Sequence, residues 1–121
     1  MNWIDILIAV AILAAFLIYR RTGLISIKDA QAYLRGGATV IDVRTAGEFV
    51  AGHLPIAVNL PLSEIETSLA RRVKDKNQVL LLHCQSGARS GAAKKKLIAL
   101  GCPNAFNMGS YARAERIVAG K

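Results

Sequence analysis

The sequence predicts an α/β domain with a mainly parallel central sheet and helices on both faces, preceded by one transmembrane helix. Three observations carry this reading. Short β-branched or apolar runs alternate with helical stretches from about residue 24 to residue 118, the pattern of a parallel sheet. One such run, Val79-Leu80-Leu81-Leu82, leads through His83 into a cysteine loop and then a helix. Ahead of them all, Ile6 to Ile18 is an uninterrupted apolar stretch with no polar stripe along it.

The N-terminal stretch sets the organisation. Trp3 to Tyr19 counts 17 residues, the lower end of what crosses a bilayer at about 1.5 Å of rise per residue. Trp3 and Tyr19 stand where an aromatic belt would put them, and Asp5 lies one turn from the end, within reach of headgroup water. A secretory signal needs a basic start and a small-residue cleavage site, and neither Met1-Asn2 nor Tyr19-Arg20-Arg21 supplies them. Arg20, Arg21 and Lys28 follow the span and no basic residue precedes it, which places the domain on the cytoplasmic side. The expectation is an anchor over residues 1–21 and a domain over 22–121. The protein would be single-pass at the cell membrane, with lipid contacted by residues 3–19. A reducing compartment also suits a free reactive thiol.

Within the domain, Leu24-Ile25 is a candidate short strand. Ser26, with Asp29 three residues on, opens a helix through Arg35 that Gly36-Gly37 stops. Thr39 to Val43 is a buried strand, and Thr45 with Glu48 forms a capping box for a short helix through Ala51. Gly52-His53-Leu54-Pro55 breaks that helix, Ala57 to Leu60 is a strand, and Ser63 with Glu66 starts a helix to about Val73. After the Val79 strand and its loop, a helix covers Gly91 to Leu100, with Gly101 and Pro103 as stop signals. Ala105 to Met108 is the last strand and Tyr111 to Val118 the last helix. In such sheets, sites lie beyond the carboxyl ends of the strands. Arg44 and Cys84 both stand there.

The chain carries 16 Lys and Arg against 8 Asp and Glu, a net charge of +8. The anchor holds only Asp5, Arg20 and Arg21 of these, so the excess belongs to the domain and points to an anionic partner, a small substrate or acidic headgroups. No zinc-ligand spacing and no interleaving of aromatic with basic residues occurs, so neither a metal nor a nucleic acid is expected. The two cysteines make no disulfide framework.

The loop Cys84-Gln85-Ser86-Gly87-Ala88-Arg89-Ser90 lies between a strand and a helix N-terminus. Unpaired N–H groups and the helix dipole favour an anion there. The thiol therefore ionises readily, and the thiolate is the reactive form. Backbone N–H groups of Gln85 through Ser90 would cradle the charge, with Gly87 easing close approach. Arg89 and Ser90 bring a cation and a hydroxyl to the rim; the other reading of Arg89 is a surface residue at a helix start. Asp42 is read as structural, and Arg44 as either lining the pocket or pairing with Asp42. His53 is read as a structural polar group at a turn. Strand alternation turns His83 away from Cys84 and into the sheet. Cys102 is a packing residue, because about 17 residues of helix would hold it more than about 20 Å from Cys84, beyond disulfide reach. Lys94, Lys95 and Lys96, with Arg71 and Arg72, form either a solvated face or a contact for acidic headgroups.

Two stretches taken together carry a family resemblance. Val40-Ile41-Asp42-Val43-Arg44 with Glu48-Phe49, Gly52-His53-Leu54-Pro55 and Asn59-Leu60-Pro61 is one; Leu82-His83-Cys84 through Arg89-Ser90 is the other. They resemble the rhodanese-homology family, over about residues 24–118. The resemblance implies a sulfurtransferase on an α/β fold, working without a cofactor. Cys84 would take sulfur from a small anionic donor of the thiosulfate or persulfide type, become a persulfide, and pass the outer sulfur to a thiol or cyanide-like acceptor. It implies Cys84 as catalytic, with Gln85, Ser86, Gly87, Ala88, Arg89, Ser90 and Arg44 around the substrate. Four residues separate Cys84 from Arg89, whereas similar-looking phosphatases place five there to hold a tetrahedral phosphate or arsenate. A phosphatase or arsenate reductase is thus the alternative enzyme. A sulfur relay or docking module for a membrane protein is the non-catalytic alternative. Two departures stand out: Ile56-Ala57 where the family commonly has Gly-Ala, and Gly109-Ser110-Tyr111 where Gly-Gly followed by tryptophan is usual.

Overall fold

In the computed structural model, which describes residues 2–120, the alternating runs become a parallel sheet of β1 (Thr39–Asp42), β2 (Ala57–Asn59), β3 (Leu80–His83) and β4 (Ala105–Gly109). The strand order is β2-β1-β3-β4, and each of these pairings is parallel. The helices are α1 (Trp3–Thr22), α2 (Ile27–Arg35), α3 (Ala46–Ala51), α4 (Ile65–Arg72), α5 (Ala88–Ala99) and α6 (Tyr111–Ala119). Leu24 makes only an isolated bridge to Asn107 on β4.

Successive residues of a strand face opposite sides, so β1 and β3 feed two cores. Ile41, Leu80 and Leu82 cluster with Ile65, Leu69, Ala93 and Leu97 from α4 and α5. Val40 and Leu81 cluster with Ala30, Leu34, Ala114 and Ile117 from α2 and α6. Both faces of the sheet are covered, which is why its strands read as apolar runs rather than alternating ones. Cys84 falls in the α4/α5 cluster. His83 lies on the other side, its ring 5.5 Å from that of Tyr111 and edge-on to it, as strand alternation requires.

Local signals set most helix starts. Ser26 Oγ accepts the Asp29 N–H at 3.1 Å, and the Thr45/Glu48 capping box is complete. The box expected at Ser63 and Glu66 does not form. Residues Leu62–Glu64 make a 3-10 turn, and α4 begins at Ile65 without a side-chain cap. The physical reason is tertiary: the Leu62 N–H is held by Val43 O at 3.0 Å, Ile65 is fully buried, and Glu66 pairs instead with Lys96 of α5 at 2.9 Å. Helix α5 also starts earlier than expected, at Ala88, because Gly87 adopts the left-handed region (φ 99°) and turns the loop straight into it. Its twelve residues make it about 18 Å long, longer than the expected Gly91 to Leu100 but short of the about 17 helical residues expected between the two cysteines. Both cysteines are nonetheless free and buried.

Helix α1 opens on a reciprocal cap. Asn2 Oδ1 accepts the Asp5 N–H at 3.0 Å, and the Asp5 carboxylate accepts the Asn2 N–H at 3.3 Å. This accounts for an acid at the edge of an apolar stretch. Residues 3–18 are exposed throughout, with Trp3 at 70%. The expected transmembrane helix is not supported: among the described residues no helix is long and apolar enough to cross a membrane. The side chains of Tyr19, Arg20 and Arg21, expected at the interface, lie outside the described residues.

Candidate active site

Cys84 follows directly on β3, the central strand that leads into α5. Its N–H donates to Gly109 O at 3.2 Å, and the Tyr111 N–H donates to Gln85 O at 3.3 Å. A Ser86–Ser110 bridge adds a further tie, so the β4–α6 turn holds the cysteine loop along its length. The β3–β4 register slips between Leu82 and His83, which brings His83 opposite Gly109. Gly87 is required here twice over: its φ is positive, and a Cβ on it would stand 3.3 Å from Gly109 Cα.

The thiol has no exposed surface. The Gly87 N–H donates to Sγ at 2.9 Å, and the Ser90 hydroxyl lies 3.5 Å from it. Burial pushes the Cys84 thiol up, but hydrogen bonds from the Ser90 hydroxyl and from the N–H groups of Ser90, Gly87 and Ser86 outweigh it, leaving the pKa below the ordinary value. Ala88, Arg89 and Ser90, expected in the loop, form the first turn of α5. Their orientation is helical, and their N–H groups are those of a helix start, with that of Ser90 directed to the thiol. Ser90 Oγ is in turn 2.7 Å from Asn107 Oδ1, which also accepts the Gly109 N–H at 2.8 Å. Asn107 was not singled out from sequence. Its signal was a polar residue between Phe106 and Met108 in an otherwise apolar strand.

At the end of β1, Arg44 both pairs with Asp42 and lines a cavity. Its Nε lies 3.0 Å from each Asp42 carboxylate oxygen, and its Nη2 donates to Oδ2 at 2.7 Å and to Gly52 O at 2.7 Å. The hydrogen bond to Asp42 raises the Arg44 pKa against the opposing effect of burial. The guanidinium sits 4.9 Å from the centre of the Tyr111 ring. Tyr111 thus forms a wall of the cavity. The cavity, of about 320 Å³, is lined by Arg44, Glu48, Ala51, Gly52, Gln85 and Tyr111. Behind Arg44, His83 Nδ1 lies 3.2 Å from Cys84 O, and Nε2 lies 3.7 Å from Asp42 Oδ2. Burial pushes the imidazole pKa down, against the opposing pull of Asp42 and of the Cys84 carbonyl.

Arg89 is turned away from that cavity. Its Nη1 and Nη2 donate to the two Glu48 carboxylate oxygens at 2.6 and 2.9 Å. The Arg89 hydrogen bond is the first cause that pulls the Glu48 pKa down to about 2. Arg89 lines a second cavity of about 390 Å³ together with Val43, Thr45, Pro61, Leu62, Ser63 and Lys96. The Glu48–Arg89 pair therefore stands between the two. His53 is structural as expected, with Nδ1 2.8 Å from Phe49 O and its ring stacked on Phe49 at 3.8 Å.

Chemically, the loop is a cradle of N–H donors and a hydroxyl around one thiol, with no strong base beside it. Comparison with known proteins points to one family. The family model described as a rhodanese-like domain matches residues 26–113. The thiosulfate sulfurtransferase PspE of Escherichia coli is 36% identical over 69 residues, a stretch that is 57% of this chain and 66% of that protein's length. The human thiosulfate:glutathione sulfurtransferase is 32% identical over 105 residues, covering 76% of this chain and 89% of that one. The structure of the human single-domain sulfurtransferase TSTD1 superposes with a TM-score of 0.66 at 28% identity, over 78% of this chain and 96% of its own.

Proposed function

The chain belongs to the rhodanese-like domain family, and on that premise we propose that it is a sulfurtransferase acting through a persulfide on Cys84. The observation that carries the reading is the Gly87 N–H donated to Cys84 Sγ at 2.9 Å at the start of α5. The thiolate attacks the sulfane sulfur of a donor. The bond from that sulfur to the rest of the donor breaks, and the remainder leaves with the electron pair. The transferred sulfur stands about 2 Å beyond Sγ, where N–H groups of the loop and first turn can take its charge. A thiolate or cyanide acceptor then attacks the outer sulfur, and the Cys84 thiolate is the leaving group.

Incubating the protein with thiosulfate or with a persulfide is expected to add one sulfur atom to the Cys84 peptide by mass spectrometry, and cyanide is expected to remove it. Hydrolysis of a phosphate ester assayed alongside, without any sulfur gain, would replace this reading with the phosphatase one. A Cys84 that alkylates readily but never gains sulfur would leave the docking module.

We propose as well that α1 inserts in lipid and holds the domain on the cytoplasmic side. Its support is the exposed apolar surface of residues 3–18 and the position of Arg20, Arg21 and Lys28 after it. In a flotation assay the full chain is expected to rise with lipid vesicles and residues 22–121 to stay behind. Equal behaviour of the two would discard lipid insertion.

A further inference from the structure

Resting on the sulfurtransferase reading, we propose that Glu48 makes the site selective for persulfides of small zwitterionic thiols over dianionic donors such as thiosulfate. The argument is one of charge placement. Two guanidinium groups flank the loop, and each is closed by a carboxylate: Arg44 by Asp42 at 2.7 Å and Arg89 by Glu48 at 2.6 Å. Gln85, Ser86, Gly87 and Ala88 carry no charge. No cation therefore lines the cavity beside the loop without a carboxylate on it.

Glu48 is also fixed from its other side. Its Oε1 accepts the Thr45 N–H at 3.2 Å and the Thr45 hydroxyl at 3.1 Å, so the cap holds the carboxylate in place for Arg89. A donor of the thiosulfate kind carries two negative charges, much of them on the sulfonate that leaves as sulfite. The N–H cradle around Cys84 is occupied by the transferred sulfur, so the sulfonate is left with Arg44 Nη1, on a guanidinium whose charge Asp42 already balances, and it faces the Glu48 carboxylate on the same cavity lining. A persulfide R–S–SH differs. Cys84 S⁻ attacks its terminal sulfur, the S–S bond breaks, and RS⁻ leaves with the electron pair; the proton stays on the transferred sulfur and no outside oxidant or reductant is needed.

The cavity is matched to the rest of such a donor. Glu48 Oε2 can meet an ammonium, and Arg44 can meet a carboxylate through Nη1, since its Nε and Nη2 are given to Asp42 and Gly52. The Gln85 side chain lies on the same lining, and about 320 Å³ is room for an amino-acid-sized group.

The test compares kcat/KM for sulfur transfer to cyanide from cysteine persulfide and from thiosulfate, in the full chain and two variants. Glu48→Gln frees Arg89 while keeping a residue that can still complete a capping box. Ala88→Lys adds an unpaired cation at an exposed position on the first turn of α5. The unaltered protein is expected to prefer the persulfide, and the thiosulfate-to-persulfide ratio to rise about tenfold in each variant, the size of one charge-assisted hydrogen bond. A preference for thiosulfate in the unaltered protein, or an unchanged ratio in both variants with circular dichroism showing them folded, would overturn the assignment to Glu48. Failure of both donors to load Cys84 would instead overturn the sulfurtransferase reading beneath it.

Discussion

Replacing Cys84 with serine is expected to lower sulfur transfer by at least about a thousandfold while leaving the fold intact. The cradle lowers the pKa of a thiol, and a serine hydroxyl starts so far above neutrality that the same hydrogen bonds cannot ionise it. The hydroxyl fits the same space and still accepts the Gly87 N–H, so the thermal midpoint should move little. The companion measurement is the pH dependence of Cys84 alkylation by iodoacetamide. Thiolate fraction rises with pH through the thiol pKa, and a lowered pKa moves that rise to lower pH. The midpoint should therefore fall below that of free cysteine measured beside it, in the direction set by Ser90, Gly87 and Ser86 against burial. A midpoint at or above free cysteine would mean that burial wins, and that the loop is not an anion cradle.

Sequence reading reached this site because its parts are local. A strand run, a cysteine and a helix N-terminus are contiguous in the chain, and the Thr45/Glu48 capping box spans four positions. The sheet was legible for the same reason, since Val40 to Val43 and Leu80 to Leu82 are apolar on consecutive residues, as only a strand covered on both faces need be. What could not be read depends on strand order. Glu48 and Arg89 are 41 positions apart and meet only because β1 lies beside β3. From sequence Glu48 was a cap and part of the family resemblance, with nothing to link it to Arg89. Ser90 and Asn107 are 17 positions apart and meet because β4 lies on the other side of β3. The start of α4 was misplaced because a capping pattern at Ser63 and Glu66 was outweighed by burial of Ile65 and by the Lys96 ion pair. For α1 the span read from Trp3 to Tyr19 is not supported, because no helix among the described residues is long and apolar enough to cross a membrane.

The largest stability effect is expected at Arg44. Asp42 has no exposed side-chain surface and Arg44 has 7%, so the pair lies beyond the screening that makes surface ion pairs weak. Arg44→Met removes the guanidinium but leaves the Asp42 carboxylate buried, its Oδ1 still accepting the Arg44 main-chain N–H at 2.9 Å. An uncompensated buried charge costs about 3–5 kcal/mol, which should appear as a large fall in the urea midpoint with little change in slope. The double variant Asp42→Leu/Arg44→Met removes both charges and is expected to recover most of that loss, because the desolvation of the two groups nearly cancels their attraction. The comparison separates two roles for the pair. If the double variant is stable but transfers sulfur poorly, the pair is kept for the site, where Arg44 packs on Tyr111 and holds Gly52 at the edge of the cavity. If Arg44→Met alone is as stable as the unaltered protein, water reaches Asp42, and the buried ion pair at the end of β1 is not what holds the cavity wall in place.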